Sequence, residues 1–186
     1  MRTLTATVLI AVLTATIAGA AEGAKHKQPE GGAMQRTSLE GCMNQWLFNG
    51  VWRLRADSVA PVNVFGRSGF AVNVEARNGT TKTLQPGLSG IQGAGQGVTL
   101  VLDSGDELPV DAGAFQNDFG YKPVVQGGTI KSKLQFLAPN GTDLSAKKPV
   151  KMIVQFDQKN VGFPPVRYSV KNPSMRIKLT CDKASA

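Results

Sequence analysis

Five segments of this chain alternate apolar and polar residues with a period of two. In the first, Trp52, Leu54 and Ala56 alternate with Arg53, Arg55 and Asp57. Phe70, Val72, Val74 and Ala76 alternate with Ala71, Asn73, Glu75 and Arg77, and Ile130, Leu134 and Phe136 with Lys131, Lys133 and Gln135. Val150, Met152, Val154 and Phe156 alternate with Lys151, Ile153 and Gln155, and Ile177, Leu179 and Cys181 with Lys178 and Thr180. Successive side chains of a strand point to opposite faces, so this spacing predicts strands with one face buried and one wet. Antiparallel sheets give such alternation, whereas parallel sheets covered on both faces read as continuous apolar runs. Turn residues fall where the pattern breaks. Asp103-Ser104-Gly105-Asp106 separates Val98–Leu102 from Glu107–Val110 as a hairpin turn would. Asn78-Gly79, Gln126-Gly127-Gly128 and Pro139-Asn140-Gly141 punctuate other strand ends. The fold class that follows is all-β, an antiparallel β-sandwich of about seven strands.

The ends of the chain speak to compartment. Met1-Arg2-Thr3 is a short basic start, Leu4 to Ile17 is apolar apart from threonines, and Ala18-Gly19-Ala20 supplies small residues for cleavage. Residues 1–20 are therefore expected to be a secretory signal peptide, too short for a bilayer span of about 20 apolar residues. Residues 21–40, rich in Gly, Lys and Gln, are expected to be a flexible leader, and 41–183 the sandwich domain. Cys42 and Cys181 are the only cysteines, 139 residues apart. In an exported chain such a pair is expected to form a disulfide. Cys181 is in phase with Ile177 and Leu179, so its sulfur is expected to point inward and the bridge to be buried. The expected location is secreted or periplasmic.

Three stretches then suggest a family. Phe70 to Asn78 is an alternation ending in Arg-Asn-Gly-Thr, Val98 to Asp106 carries the Asp-Ser-Gly-Asp hairpin, and Val125 to Phe136 runs from Gln-Gly-Gly into an alternating strand. Over about Trp46 to Phe156 this order resembles the immunoglobulin-like domains of secreted bacterial antigens and related DUF4352-type extracellular modules. The resemblance implies an immunoglobulin-like sandwich outside the cytoplasm and carries over no catalytic residues.

Chemistry is mostly excluded. Histidine-dependent nucleophilic mechanisms need an imidazole beside the nucleophile, and the sole histidine, His26, lies in the leader. No clustered ligands point to zinc or copper, and no phosphate loop or dinucleotide fingerprint is present. No cofactor and no metal are expected, and the chain is read as no enzyme. The alternative enzyme is a hydrolase using two carboxylates among Asp103, Asp106, Glu107, Asp111 and Asp118, although turn chemistry already accounts for Asp103 and Asp106.

Recognition by a protein or cell-envelope component is therefore expected. The first candidate segment is the loop Asp111 to Lys122, which carries Phe115, Phe119 and Tyr121, since aromatic loops on a rigid sandwich suit binding. Trp46 is expected to pack at one end of the core or to bind at the surface, and Trp52, in phase with Leu54, belongs to the core. The second candidate is a basic sheet face that holds an anionic polymer. Arg53, Arg55, Arg77, Lys131, Lys133, Lys151, Arg176 and Lys178 all fall on predicted outward positions. Nucleic acid does not fit a secreted chain lacking an interleaved aromatic platform. Asn78-Gly79-Thr80 and Asn140-Gly141-Thr142 match a glycosylation pattern but are read as turns.

Overall fold

A computed structural model describes residues 38–181; the expected signal peptide, His26 and the leader as far as residue 37 lie outside the described residues. Eleven strands fold as a β-sandwich: β1 (Leu39–Cys42), β2 (Leu47–Phe48), β3 (Trp52–Val64), β4 (Arg67–Asn78), β5 (Ser89–Ile91), β6 (Val98–Leu102), β7 (Glu107–Pro109), β8 (Thr129–Leu137), β9 (Pro149–Val154), β10 (Phe156–Val161) and β11 (Met175–Lys178). One sheet has the order β1-β11-β9-β6-β7, the other β2-β3-β4-β8, and β5 pairs with β10. The predicted alternations become β3, β4, β8, β9 and β11. Of the strands beyond the expected seven, β1, β2 and β5 are too short to show a period, and β10, as long as β9, is exposed along most of its length and so does not alternate.

The inward set from both sheets forms one apolar cluster. Trp52, Leu134 and Phe136 from one side join Leu100, Met152, Met175 and Ile177 from the other, all essentially inaccessible. The period-two reading holds because each of these strands has one face on that cluster. β3 departs from it midway. A bulge at Asp57, between the Ala56–Val74 and Ser58–Asn73 pairs, resets the phase, so Val59 packs against the core.

Two expectations about the ends need correction. β1 pairs with β11 in parallel, Leu39 beside Met175 and Cys42 beside Lys178, so the sheets are not wholly antiparallel. The first strand also starts at Leu39, inside the segment read as leader. Cys42 and Cys181 are joined, with Cα atoms 6.0 Å apart. The bridge is half-exposed rather than buried, because β11 ends at Lys178 and Cys181 has left the sheet. The paired cysteines are compatible with an extracellular location, and no helix among the described residues is long and apolar enough to cross a membrane.

Candidate functional site

The segment read as a binding loop is not a loop. Residues Ala112–Phe115 form the short helix α1, and a wider helical turn follows through Gln116–Gly120. The Asp111 carboxylate caps α1 by accepting from the Ala114 N–H at 2.9 Å. Phe115 and Phe119 turn inward, 2% and 3% exposed, with ring centroids 5.7 Å apart. The backbone has closed around them: a Cβ on Gly95 or Gly120 would lie 2.7 or 2.6 Å from the Phe115 ring. The expectation that Phe115 and Phe119 recognise a partner is therefore corrected; both belong to the core, and only Tyr121 is exposed. Asp111→Ala is expected to cost about 1 kcal/mol in urea denaturation through loss of the cap.

The outward faces hold the charge. Arg53, Arg55, Arg77, Lys131 and Lys133 sit on three adjacent strands of one sheet, where Arg53 pairs with Arg77, Glu75 with both Arg55 and Lys131, and Asn73 with Lys133. Lys151, Arg176 and Lys178 lie on the other sheet, with Lys151 opposite Lys178. The basic residues thus divide between two faces.

The first face has a built centre. Asn44 adopts φ 69° in the turn after Cys42, a conformation asparagine tolerates. The Gln45 N–H donates to the Cys42 carbonyl at 3.1 Å, and the Asn44 N–H to the Ala56 carbonyl at 2.8 Å. This turn carries the chain from the β1 sheet onto β3, where Leu47 pairs with Leu54 and Phe48 with Arg53. Trp46 is thereby held half-buried on the outer side, with the Arg55 and Arg77 guanidinium carbons 4.7 and 4.6 Å from its ring. Arg53 lies 4.4 Å over the neighbouring Phe48. Each contact is worth about 0.5–1 kcal/mol where exposed.

Beneath them lies Glu75, a carboxylate only 2% exposed. Its Oε1 accepts from Arg77 Nε at 3.2 Å and Nη2 at 3.0 Å, and its Oε2 from Arg55 Nη2 at 2.7 Å. Arg55 Nε also pairs with Asp57 at 2.8 Å. Burial alone would push the Glu75 carboxyl up. Hydrogen bonds from Arg77 and Arg55 and the charges of Arg55 and Lys131 outweigh it, so the group is held below its ordinary value. Glu75 is thus a fixed anion that orients two guanidiniums, and it has no proton to give at neutral pH. Five cations against two carboxylates leave the face positive.

Four of the five acids singled out for hydrolysis are engaged elsewhere, and the fifth, Glu107, is exposed on β7. Asp103 accepts from the Lys148 N–H, Asp106 from Ser104 while pairing with Lys147, Asp111 caps α1, and Asp118 lies 3.9 Å from Lys122. Asp106 is held below the ordinary carboxylate range by its Ser104 hydrogen bond and by Lys147, the opposite of what a general acid needs. Tyr168 is pushed up by burial, and its hydroxyl donates to the Ser89 carbonyl. No group of three or more His, Cys, Asp or Glu among the described residues is placed to hold a metal ion. Asn78 is buried, and its amide donates to the Lys82 and Val124 carbonyls.

Sequence reasoning placed Trp46, Arg53, Arg55, Lys131 and Lys133 as candidates, and the structure puts all five on this sheet or against it. It did not single out Glu75. The available signal was the outward Glu75 flanked two residues on by Arg77, opposite a strand carrying Arg53 and Arg55.

The fold is similar to that of an uncharacterized β-sandwich protein from Clostridium difficile, at TM-score 0.48 and 8% identity over 78% of this chain and 97% of that one. It is also similar to the yjhA protein from Bacillus subtilis, at TM-score 0.47 and 10% identity over 75% and 99% of the two chains. No protein-family model matches the chain, and no curated protein matches it.

Proposed function

We propose that this chain is a secreted, non-enzymatic recognition module that binds an anionic polymer of the cell envelope on the outer face of β2-β3-β4-β8. In this reading it is an extracytoplasmic module of the immunoglobulin-like, DUF4352-type kind whose strand and turn order it resembles. The observation that carries the proposal is the Trp46–Arg55–Arg77–Glu75 cluster. Two guanidiniums are fixed by a buried carboxylate and an indole, with Arg53, Lys131 and Lys133 around them. Guanidiniums held in place lose little entropy when they meet a carboxylate, sulfate or phosphate, and their planar forks match such groups. An ordinary solvated sheet face has no need of a buried carboxylate beneath its arginines. Protein recognition through residues 111–122 is the weaker reading, since it loses Phe115 and Phe119.

The test is titration of the oxidised chain with heparin and with polygalacturonate across a salt series. Binding is expected to weaken steeply as salt screens the exposed charges. Arg77→Ala and Trp46→Ala are each expected to weaken it about tenfold, roughly 1.4 kcal/mol. Lys178→Ala, on the opposite sheet, is expected to leave it unchanged. Equal losses for Arg77→Ala and Lys178→Ala would mean diffuse charge and sink the proposal, as would no binding at low salt.

A further inference from the structure

The chain leaves the five-stranded sheet at Gln155. The Gln155 N–H donates to the Gly97 carbonyl at 2.7 Å, and from Phe156 onward β10 pairs with β5 instead of β6 and β11. A cleft of about 380 Å³ lies at this divergence, between Ile153 and Arg176 on the sheet and Asp157 and Asn160 on the ribbon. Small-molecule sites begin at about that size, roughly 300 Å³. Ser174 holds the two walls together. Its hydroxyl accepts from the Phe156 N–H at 3.2 Å, and its own N–H donates to Asn172 Oδ1 at 3.1 Å.

The cleft carries polar side chains that the fold does not use. Gln155 and Asn160 are exposed, and among the described residues none hydrogen-bonds to either side-chain amide. Ser38, just before β1, also lines the cleft. It is 5% exposed, and its hydroxyl has no hydrogen-bond partner among the described residues. Buried polar side chains are nearly always hydrogen-bonded, so the wall holds a group that the fold leaves unsatisfied.

The same lining narrows the ligand. Its charged groups are one cation, Arg176, and one anion, Asp157, so an anion gains little here compared with the Trp46 face. Accessible carbon is sparse, because Ile153 is half-buried and Phe156 is 6% exposed, which leaves an apolar ligand no floor to cover. A side-chain amide offers two donors and an acceptor oxygen, a carboxylate accepts, and a guanidinium donates. Neighbouring hydroxyls, each donor and acceptor at once, are the groups that match such a mixture.

We propose that this cleft binds one unit of a neutral saccharide, with Gln155, Asp157, Asn160 and Arg176 bonding adjacent hydroxyls. The cleft lies on the outer side of the other sheet from Trp46, and the proposal stands or falls without the anionic-polymer reading.

The test is isothermal titration of the oxidised chain with chitotriose, maltotriose and cellotriose, each at low and high salt. At least one is expected to bind with a Kd of about 1 mM or below. Its affinity is expected to be equal at both salts, since no exposed charge is neutralised. Asn160→Ala and Gln155→Ala remove exposed amides that bond nothing in the fold. Each is expected to keep the wild-type Tm and to weaken binding about fivefold, the loss of one hydrogen bond. Arg77→Ala, on the opposite face, is expected to leave it unchanged. Failure of all three sugars to bind at that level overturns the proposal. So does binding that both amide variants retain in full, or binding that disappears at high salt.

Discussion

Replacing Cys42 and Cys181 together by serine is expected to lower the stability of the chain by about 4–5 kcal/mol, the chain-entropy value for so long a closed loop. The bridge spans 139 residues and encloses ten of the eleven described strands, starting from the last residue of β1. Cutting it frees the unfolded chain far more than the folded one. The folded chain has little to replace it, because β1 is four residues long and pairs only with β11. The loss also reaches the candidate site. Cys42 opens the turn that lays Trp46 against Arg55 and Arg77, and the Met43 N–H ties that turn to the Lys178 carbonyl at 2.8 Å. Reversible urea denaturation of the oxidised wild type and the double variant measures the difference directly. A loss of about 4–5 kcal/mol together with a steeper slope, as a less compact unfolded chain requires, supports the entropic account. A loss under about 1 kcal/mol would show that β1–β11 pairing holds the ends unaided, a contribution in the range of a single hydrogen bond.

The parts of this fold that were legible in sequence are those where one strand face meets the core throughout. β4 and β8 run nine paired residues without interruption, and their inward and outward positions follow from periodicity alone. β3 was legible only to its bulge. From Asp57 onward the phase is reset, so Ser58-Val59-Ala60-Pro61-Val62-Asn63-Val64 shows no clean alternation, and the hairpin tip at Phe65 went unread. Phe65-Gly66 also lacks the Asn or Asp that marks such a turn. The helical turn at 112–120 escaped for a different reason. Four helical residues present barely one turn of period, and its two phenylalanines in a polar stretch look like loop aromatics. Their burial depends on Gly95, which comes from another part of the chain. The candidate site was half legible. Periodicity turns Arg53, Arg55, Glu75, Arg77, Lys131 and Lys133 outward, but which of them Trp46 covers depends on the turn at Met43 and Asn44. An outward carboxylate that ends up buried is a tertiary outcome no local pattern contains.

Glu75→Gln separates organisation from charge on that face. The substitution keeps the shape, removes the anion that accepts three hydrogen bonds from Arg55 and Arg77, and sets an amide donor among donors. It is expected to cost about 1.5–3 kcal/mol, the scale of charge-assisted hydrogen bonding. The cost depends on pH with a definite sign. The Glu75 pKa is lower folded than its ordinary 4.5, so its contribution is fully present above 4.5 and is lost as pH falls through the folded value. Wild type and variant should therefore differ in Tm at neutral pH and converge in acid. Asp106 and Asp143 are also held low and persist in the variant, so the difference between the two curves is the readout. A gap that stays constant into strong acid would remove the ionised carboxylate from the account. Binding divides the two views of the face more sharply. Were net charge alone to matter, Glu75→Gln would tighten an anionic ligand by removing a negative charge. If the ligand is held by guanidiniums that Glu75 fixes against Trp46, the variant binds about tenfold more weakly, roughly 1.4 kcal/mol, although its face is more positive. We expect the second result, measured by the same titration with heparin and polygalacturonate at one salt concentration.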